Sequence, residues 1–78
     1  MSTFDLSVMI RQIELLCKRD RISIQQMLLN AGLSVYVMDN LRKGSIPSVD
    51  KVIAIADYFH VSVETLIGRN SIEQEDNP

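Results

Sequence analysis

The chain has 78 residues, of which 46% are hydrophobic, with 8 basic and 10 acidic side chains and a formal net charge of −2. That length suits one small domain, which buries only about 60% of the surface its unfolded form exposes, and leaves no room for an enzyme scaffold around a large substrate cleft. The hydrophobic content excludes a disordered chain, and a pI near 5.1 argues against a generic nucleic-acid binder.

Cys17 stands alone, so no internal disulfide framework exists, whereas a small secreted domain normally needs several bridges. Met1–Met9 lacks the charged start and unbroken apolar stretch of a signal peptide. No run of about 18 apolar residues occurs, so no membrane span is expected, and the expected location is the cytoplasm. One His, one Cys and no carboxylate cluster make neither a metal-ligand set nor a nucleophile with its base. No cofactor and no enzymatic activity are therefore expected. The charge is uneven: the tail from Ser71 to Pro78 carries Glu73, Glu75 and Asp76 without a basic residue, and the body before it is close to neutral. The domain is placed at residues 1–70, followed by an acidic tail at 71–78 that is expected to be disordered.

Five helical segments read out in chain order. In the first, about Leu6 to Arg19, residues Leu6, Met9, Ile10, Ile13, Leu16 and Cys17 repeat at the spacing of one helix face. Lys18-Arg19-Asp20-Arg21 then forms a polar break. Three later starts share one device, a serine N-cap preceded by an apolar residue that staples onto one further along. These are Ile22-Ser23 with Met27, Leu33-Ser34 with Met38, and Val61-Ser62 with Leu66. Gln26 stands where it would close a capping box with Ser23. The second segment thus spans about Ile24 to Asn30, with Gly32 able to take the positive φ that ends a helix. The third spans about Val35 to Arg42 and stops at Gly44. After Ser45-Ile46-Pro47, Ser48 caps a fourth segment that ends near Phe59. Its buried face is read as Val49, Val52, Ile53, Ala56 and Phe59, with His60 expected in the left-handed position. The fifth spans about Val63 to Ile67 and ends at Gly68.

Ile22 to Gly44 is the informative stretch. Two short helices joined by Asn30-Ala31-Gly32-Leu33 make a helix-turn-helix, the unit that lays its second helix in the DNA major groove. Met27, Leu28, Leu33, Met38 and Leu41 are expected to face inward and hold the interhelix angle, leaving Val35, Tyr36, Asp39, Asn40 and Lys43 on an outer ridge.

The downstream residues are more specific. Leu41-Arg42-Lys43-Gly44-Ser45-Ile46-Pro47-Ser48, then Val52 through Gly68 ending in Ile-Ala-Asp-Tyr-Phe-His-Val-Ser-Val-Glu-Thr-Leu-Ile-Gly, resembles the Cro/phage-repressor, or XRE, helix-turn-helix family. The resemblance covers about Met9 to Gly68. It implies an all-α, five-helix lambda-repressor-like domain that binds double-stranded DNA as a homodimer and regulates transcription, as a repressor. It places Ser34, Val35, Tyr36, Asp39 and Asn40 on the recognition helix, from about Ser34 to Arg42. Lys43 and Ser45 fall in the loop near the DNA backbone, and Ser23 and Gln25 start the helix that approaches phosphate. In chemical terms Asn40 suits adenine, Asp39 the cytosine amino group and Val35 a thymine methyl. Lys43, Arg42 and the Lys18-Arg19-Arg21 group suit phosphates, although basic residues at a helix C-terminus are also ordinary partners of its dipole. A second reading stays open: a protein-interaction module on the same fold, antitoxin-like or anti-repressor, with a protein partner and weak DNA affinity. The low positive charge and the Val35-Tyr36 pair favour it. Ile72, Leu66 and Ile67 are candidates for self-association.

Overall fold

The computed structural model describes residues 5–68, and among these it is all-helical. The order is α1 (Leu6–Arg19), α2 (Ile24–Asn30), α3 (Val37–Arg42), α4 (Val49–Phe59) and α5 (Val63–Leu66). The acidic tail and Ile72 lie outside the described residues.

The helix starts follow from local chemistry. A carboxylate or hydroxyl at the N-cap accepts an otherwise unpaired N–H of the first turn. Asp5 Oδ1 accepts from the Ser7 N–H at 3.0 Å, Ser23 Oγ from Gln26 at 3.0 Å, and Ser62 Oγ from Thr65 at 3.1 Å. The capping box at Ser23 is only half closed, because the Gln26 amide turns away to donate to Asn30 Oδ1 at 2.9 Å. The stapling residues Ile22, Leu33 and Val61 all pack against the core, which contains their partners Met27, Met38 and Leu66.

The ends of α1 to α4 share one hydrogen-bond pattern, the Schellman motif, in which the residue after a left-handed one donates five residues back. The bonds run from Ile22 to the Cys17 carbonyl, Leu33 to Leu28, Ser45 to Asn40 and Val61 to Ala56, at 2.8–3.0 Å. The left-handed residues are Arg21 (φ 56), Gly32 (φ 79), Gly44 (φ 95) and His60 (φ 59). His60 was expected there; Arg21 was not. Left-handed backbone costs an L-residue about 1–2 kcal/mol, and the extra freedom of unfolded glycine offsets about 0.5–1 kcal/mol of any relief. Arg21→Gly should therefore stabilise the domain by about 0.5–1 kcal/mol, roughly 2–8 °C in Tm. A thermal melt in which the variant unfolds below the parent would contradict this.

α1 is the hub, packing on α2, α3 and α5, while α4 packs on α5 and α2. Met9, Ile13, Leu16, Met27, Leu28, Ile55, Phe59 and Leu66 are wholly enclosed. Polar ties cross between helices at the margins of this core. Gln12 Nε2 donates to the Thr65 carbonyl at 2.9 Å, Asn30 Nδ2 to the Tyr58 hydroxyl at 3.2 Å, and Arg42 to Glu14 at 3.2 Å.

Three expectations need correction. The third helix begins at Val37, not at Ser34 or Val35. Ser34 instead opens a tight turn: its hydroxyl accepts the Tyr36 N–H at 3.1 Å and its carbonyl the Val37 N–H at 3.2 Å, with Tyr36 at φ −86, ψ −2, the geometry of a type I turn. On α4, Val49 and Ile53 are 70% and 44% exposed, and Ile55 is buried in their place. Leu66, a candidate for self-association, is fully enclosed in the core.

Candidate functional site

Nine residues were singled out for contact: Ser23, Gln25, Ser34, Val35, Tyr36, Asp39, Asn40, Lys43 and Ser45. Eight are exposed, and Val35 is half-buried. Ser23 and Gln25 open α2. Ser34, Val35 and Tyr36 form the turn into α3 rather than part of the helix. Asp39 and Asn40 lie on α3, and Lys43 and Ser45 lie in the loop after it.

A six-residue helix is not stable alone, so α3 must be held by its neighbours. Val37, Met38 and Leu41 do this, each at most 3% exposed. Val37 was missing from the expected inward set. The main support is also different from the expected one, since α3 packs chiefly on α1. Arg42 reinforces that contact through its ion pair with Glu14. It is therefore directed toward α1, and of the two cations at the end of α3, Lys43 is the one without an ion-pair partner among the described residues. Arg19 is similarly occupied. It pairs with Asp20 at 2.7 Å and reaches the Phe59 carbonyl at 3.4 Å, closing the C-terminal ends of α1 and α4 together. The same guanidinium holds the Asp20 carboxyl below the usual carboxylate range.

The side of α3 away from the core presents Asp39, Asn40 and Lys43. Beyond its end, Asn40, Ser45, Ser48 and Lys51 meet around a pocket of about 120 Å³ floored by Val37 and Leu41. The Ser45 N–H donates to the Asn40 carbonyl at 2.9 Å, which fixes the loop against the helix. Ser48 and Lys51 were not among the expected contact residues. Ser48 sits at the N-cap of α4, but its side chain makes no capping bond. The first-turn N–H groups of an 11-residue helix thus lack their usual side-chain acceptor, with the Lys51 ammonium in the same turn. The signal for these two was available in the sequence, because the loop Lys43–Ser45 leads within three residues to a helix start.

This arrangement offers donors and positive charge to an anion, beside a ridge of mixed donors and acceptors. Cys17 is buried in the apolar interior, and burial pushes its thiol pKa up, the opposite of an activated cysteine. Among the described residues no three His, Cys, Asp or Glu side chains gather as a metal would require. No helix among them is long and apolar enough to cross a membrane. No family model matches the chain, and no curated protein or solved structure matches it either.

Proposed function

We propose that this protein is a lambda-repressor-like, sequence-specific DNA-binding domain that regulates transcription, reading the major groove with α3. One observation carries the reading. α3 is a short helix set on the outside by Val37, Met38 and Leu41, with Asp39, Asn40 and Lys43 left exposed.

Groove recognition requires a rigid ridge of hydrogen-bonding side chains, and phosphate contacts to fix its register. The ridge supplies Asn40 for an adenine edge and Asp39 for a cytosine amino group. The turn before α3 adds Ser34 and the 66% exposed Tyr36. The phosphates fall at two places. One is the start of α2, at Ser23 and Gln25. The other is the pocket of Ser45, Ser48 and Lys51, where a helix N-terminus, a hydroxyl and an ammonium converge on one anion. Val35, half-buried in the turn, has a smaller part than a thymine-methyl contact on an open ridge requires. With so few cations in play, affinity falls only gently with salt compared with strongly basic binders.

The test is selection of duplexes from a random-sequence pool by the intact chain at about 50 mM salt, followed by titration of the enriched sequence. Asn40→Ala is expected to weaken that duplex about ten- to hundredfold and to relax the preference at one base pair, as loss of a bidentate base contact does. If no sequence is enriched and no duplex binds at low salt, DNA recognition is lost as the function. The second reading, a protein-interaction module, would then stand. It is favoured by one observation, the commitment of Arg42 and Arg19 to intramolecular ion pairs.

A further inference from the structure

A second face of the molecule has no part in this scheme. Ile46, Val49, Ile53, Val63 and Ile67 line an open groove of about 520 Å³ between the α3–α4 loop, α4 and α5, and none of the residues assigned to DNA above is among its lining. Ile46 is 74% exposed, Val49 70%, Ile53 44% and Val63 38%. Single exposed aliphatics are ordinary on a protein surface, but a contiguous set marks a binding surface. α4 carries two apolar stripes. Val52, Ile55, Ala56 and Phe59 turn to the core, and Val49 with Ile53 lies about a quarter-turn round the axis.

The rim of this groove is acidic. Asp50 stands three residues before Ile53 on α4, Asp57 stands four after it, and Glu64 on α5 stands three before Ile67. Residues at those separations are neighbours on a helix surface, so each carboxylate borders a groove-lining side chain. All three are exposed, and none has an ion-pair partner among the described residues. Lys51, the cation on α4, turns the other way, into the pocket with Asn40 and Ser45.

We propose that this groove takes a basic amphipathic helix of another protein. Its aliphatic face lies between α4 and α5, and its lysines or arginines stand over Asp50, Asp57 and Glu64. Backbone chemistry selects a helix. The described residues contain no strand, so an extended peptide has no sheet edge to join. A helix pairs its own N–H and C=O groups and can lie on an apolar lining without leaving them unsatisfied. Charge selects a basic one. An acidic helix is repelled by the rim, and an uncharged apolar molecule draws nothing from it. A second copy seated here about a twofold axis would bring two acidic rims together, and like-charge juxtaposition is costly. The binding does not depend on DNA recognition.

The experiment is fluorescence anisotropy of the intact chain, without DNA, against three labelled peptides of about 18 residues, long enough to form a helix. All three carry leucines at i, i+3, i+4 and i+7 spacing. Their other positions are lysine and glutamine, glutamate and glutamine, or glutamine alone. In about 50 mM salt the cationic peptide is expected to bind about tenfold more tightly than the neutral one, the sum of a few exposed ion pairs, and the anionic one more weakly than either. At about 500 mM salt the three should converge. Asp50→Asn with Asp57→Asn and Glu64→Gln should also make them converge, with the neutral peptide's affinity unchanged. Val49→Ser with Ile53→Ser should weaken all three by about tenfold or more through lost apolar burial, with helix content by circular dichroism unchanged. Leu15→Ser, at an exposed α1 residue outside the groove, should alter none of them. Three outcomes would overturn the proposal: no peptide bound at about 200 μM, an anionic peptide bound as tightly as the cationic one, or a loss from Leu15→Ser equal to that from the double serine variant. A doubling of mass in sedimentation equilibrium that the double serine variant removes would overturn it as well, because a second copy would then fill the groove. The readout contains no DNA, so failure here and failure of DNA recognition are separate results.

Discussion

Phe59→Ala should leave the domain unfolded at 25 °C. Phe59 is the largest fully enclosed side chain, and removing such a ring costs about 3–5 kcal/mol in lost transfer energy and cavity. Its edge-to-face contact with Tyr58, at 5.1 Å between centroids and 78° between planes, adds about 0.5–1.5 kcal/mol to that loss. A single core in a chain of this size rarely supplies more than about 3–5 kcal/mol of net stability, so the substitution removes all of it. Phe59 also sits where α4 ends: its carbonyl accepts from Arg19, and the left-handed residue His60 comes next. Far-ultraviolet circular dichroism and urea titration are the measurements. A variant that kept the parent's ellipticity and melted within a few degrees of it would show that the interior tolerates the cavity. Phe59→Leu, which keeps much of the volume, should remain folded with a loss of about 1–2 kcal/mol.

The second large effect is expected from Lys43→Ala with Lys51→Ala. Both side chains are exposed, and neither has an ion-pair partner among the described residues, so their loss should leave the fold intact. If each meets one phosphate, removing both should weaken an enriched duplex at least about a hundredfold at low salt, since a charge-assisted contact contributes about 1.5–3 kcal/mol and about 1.4 kcal/mol is tenfold. The slope of log K against log salt should flatten by about one for each lysine. The loss should be nearly equal for enriched and scrambled duplexes, because phosphate contacts carry no sequence information. That uniformity separates it from Asn40→Ala, which should discriminate between them. A double variant with an unchanged salt slope would remove the Ser45–Lys51 pocket from the interface. Arg42→Ala is the contrasting case. Its guanidinium is held by Glu14, so its loss should act on the α1–α3 contact more than on affinity.

Much of this architecture is legible in short stretches of the chain. The starts of α2 and α5 and the end of α4 at His60 depend on residues no more than five apart, because caps and Schellman bonds are closed over that distance. The exposure of Asp39, Asn40 and Lys43 was likewise readable, since they follow the helical period away from Met38 and Leu41. The start of α3 was not readable. Ser34 can cap a helix or a turn, and it forms the turn, so that Val37 rather than Val35 opens the helix.

Local chemistry along the chain dictates that it makes short helices, where most of them begin and stop, and which α3 side chains avoid the core. Those outcomes rest on hydrogen bonds and periodicity within a few residues. The folded arrangement selected which of two apolar stripes on α4 is buried, set α1 beneath α3, engaged Glu14 with Arg42, and brought Ser48 and Lys51 to Asn40. The physical reason is that burial and ion pairing depend on neighbours far away in the chain. Two overlapping stripes have the same helical spacing, and only packing against α2 and α5 selects between them.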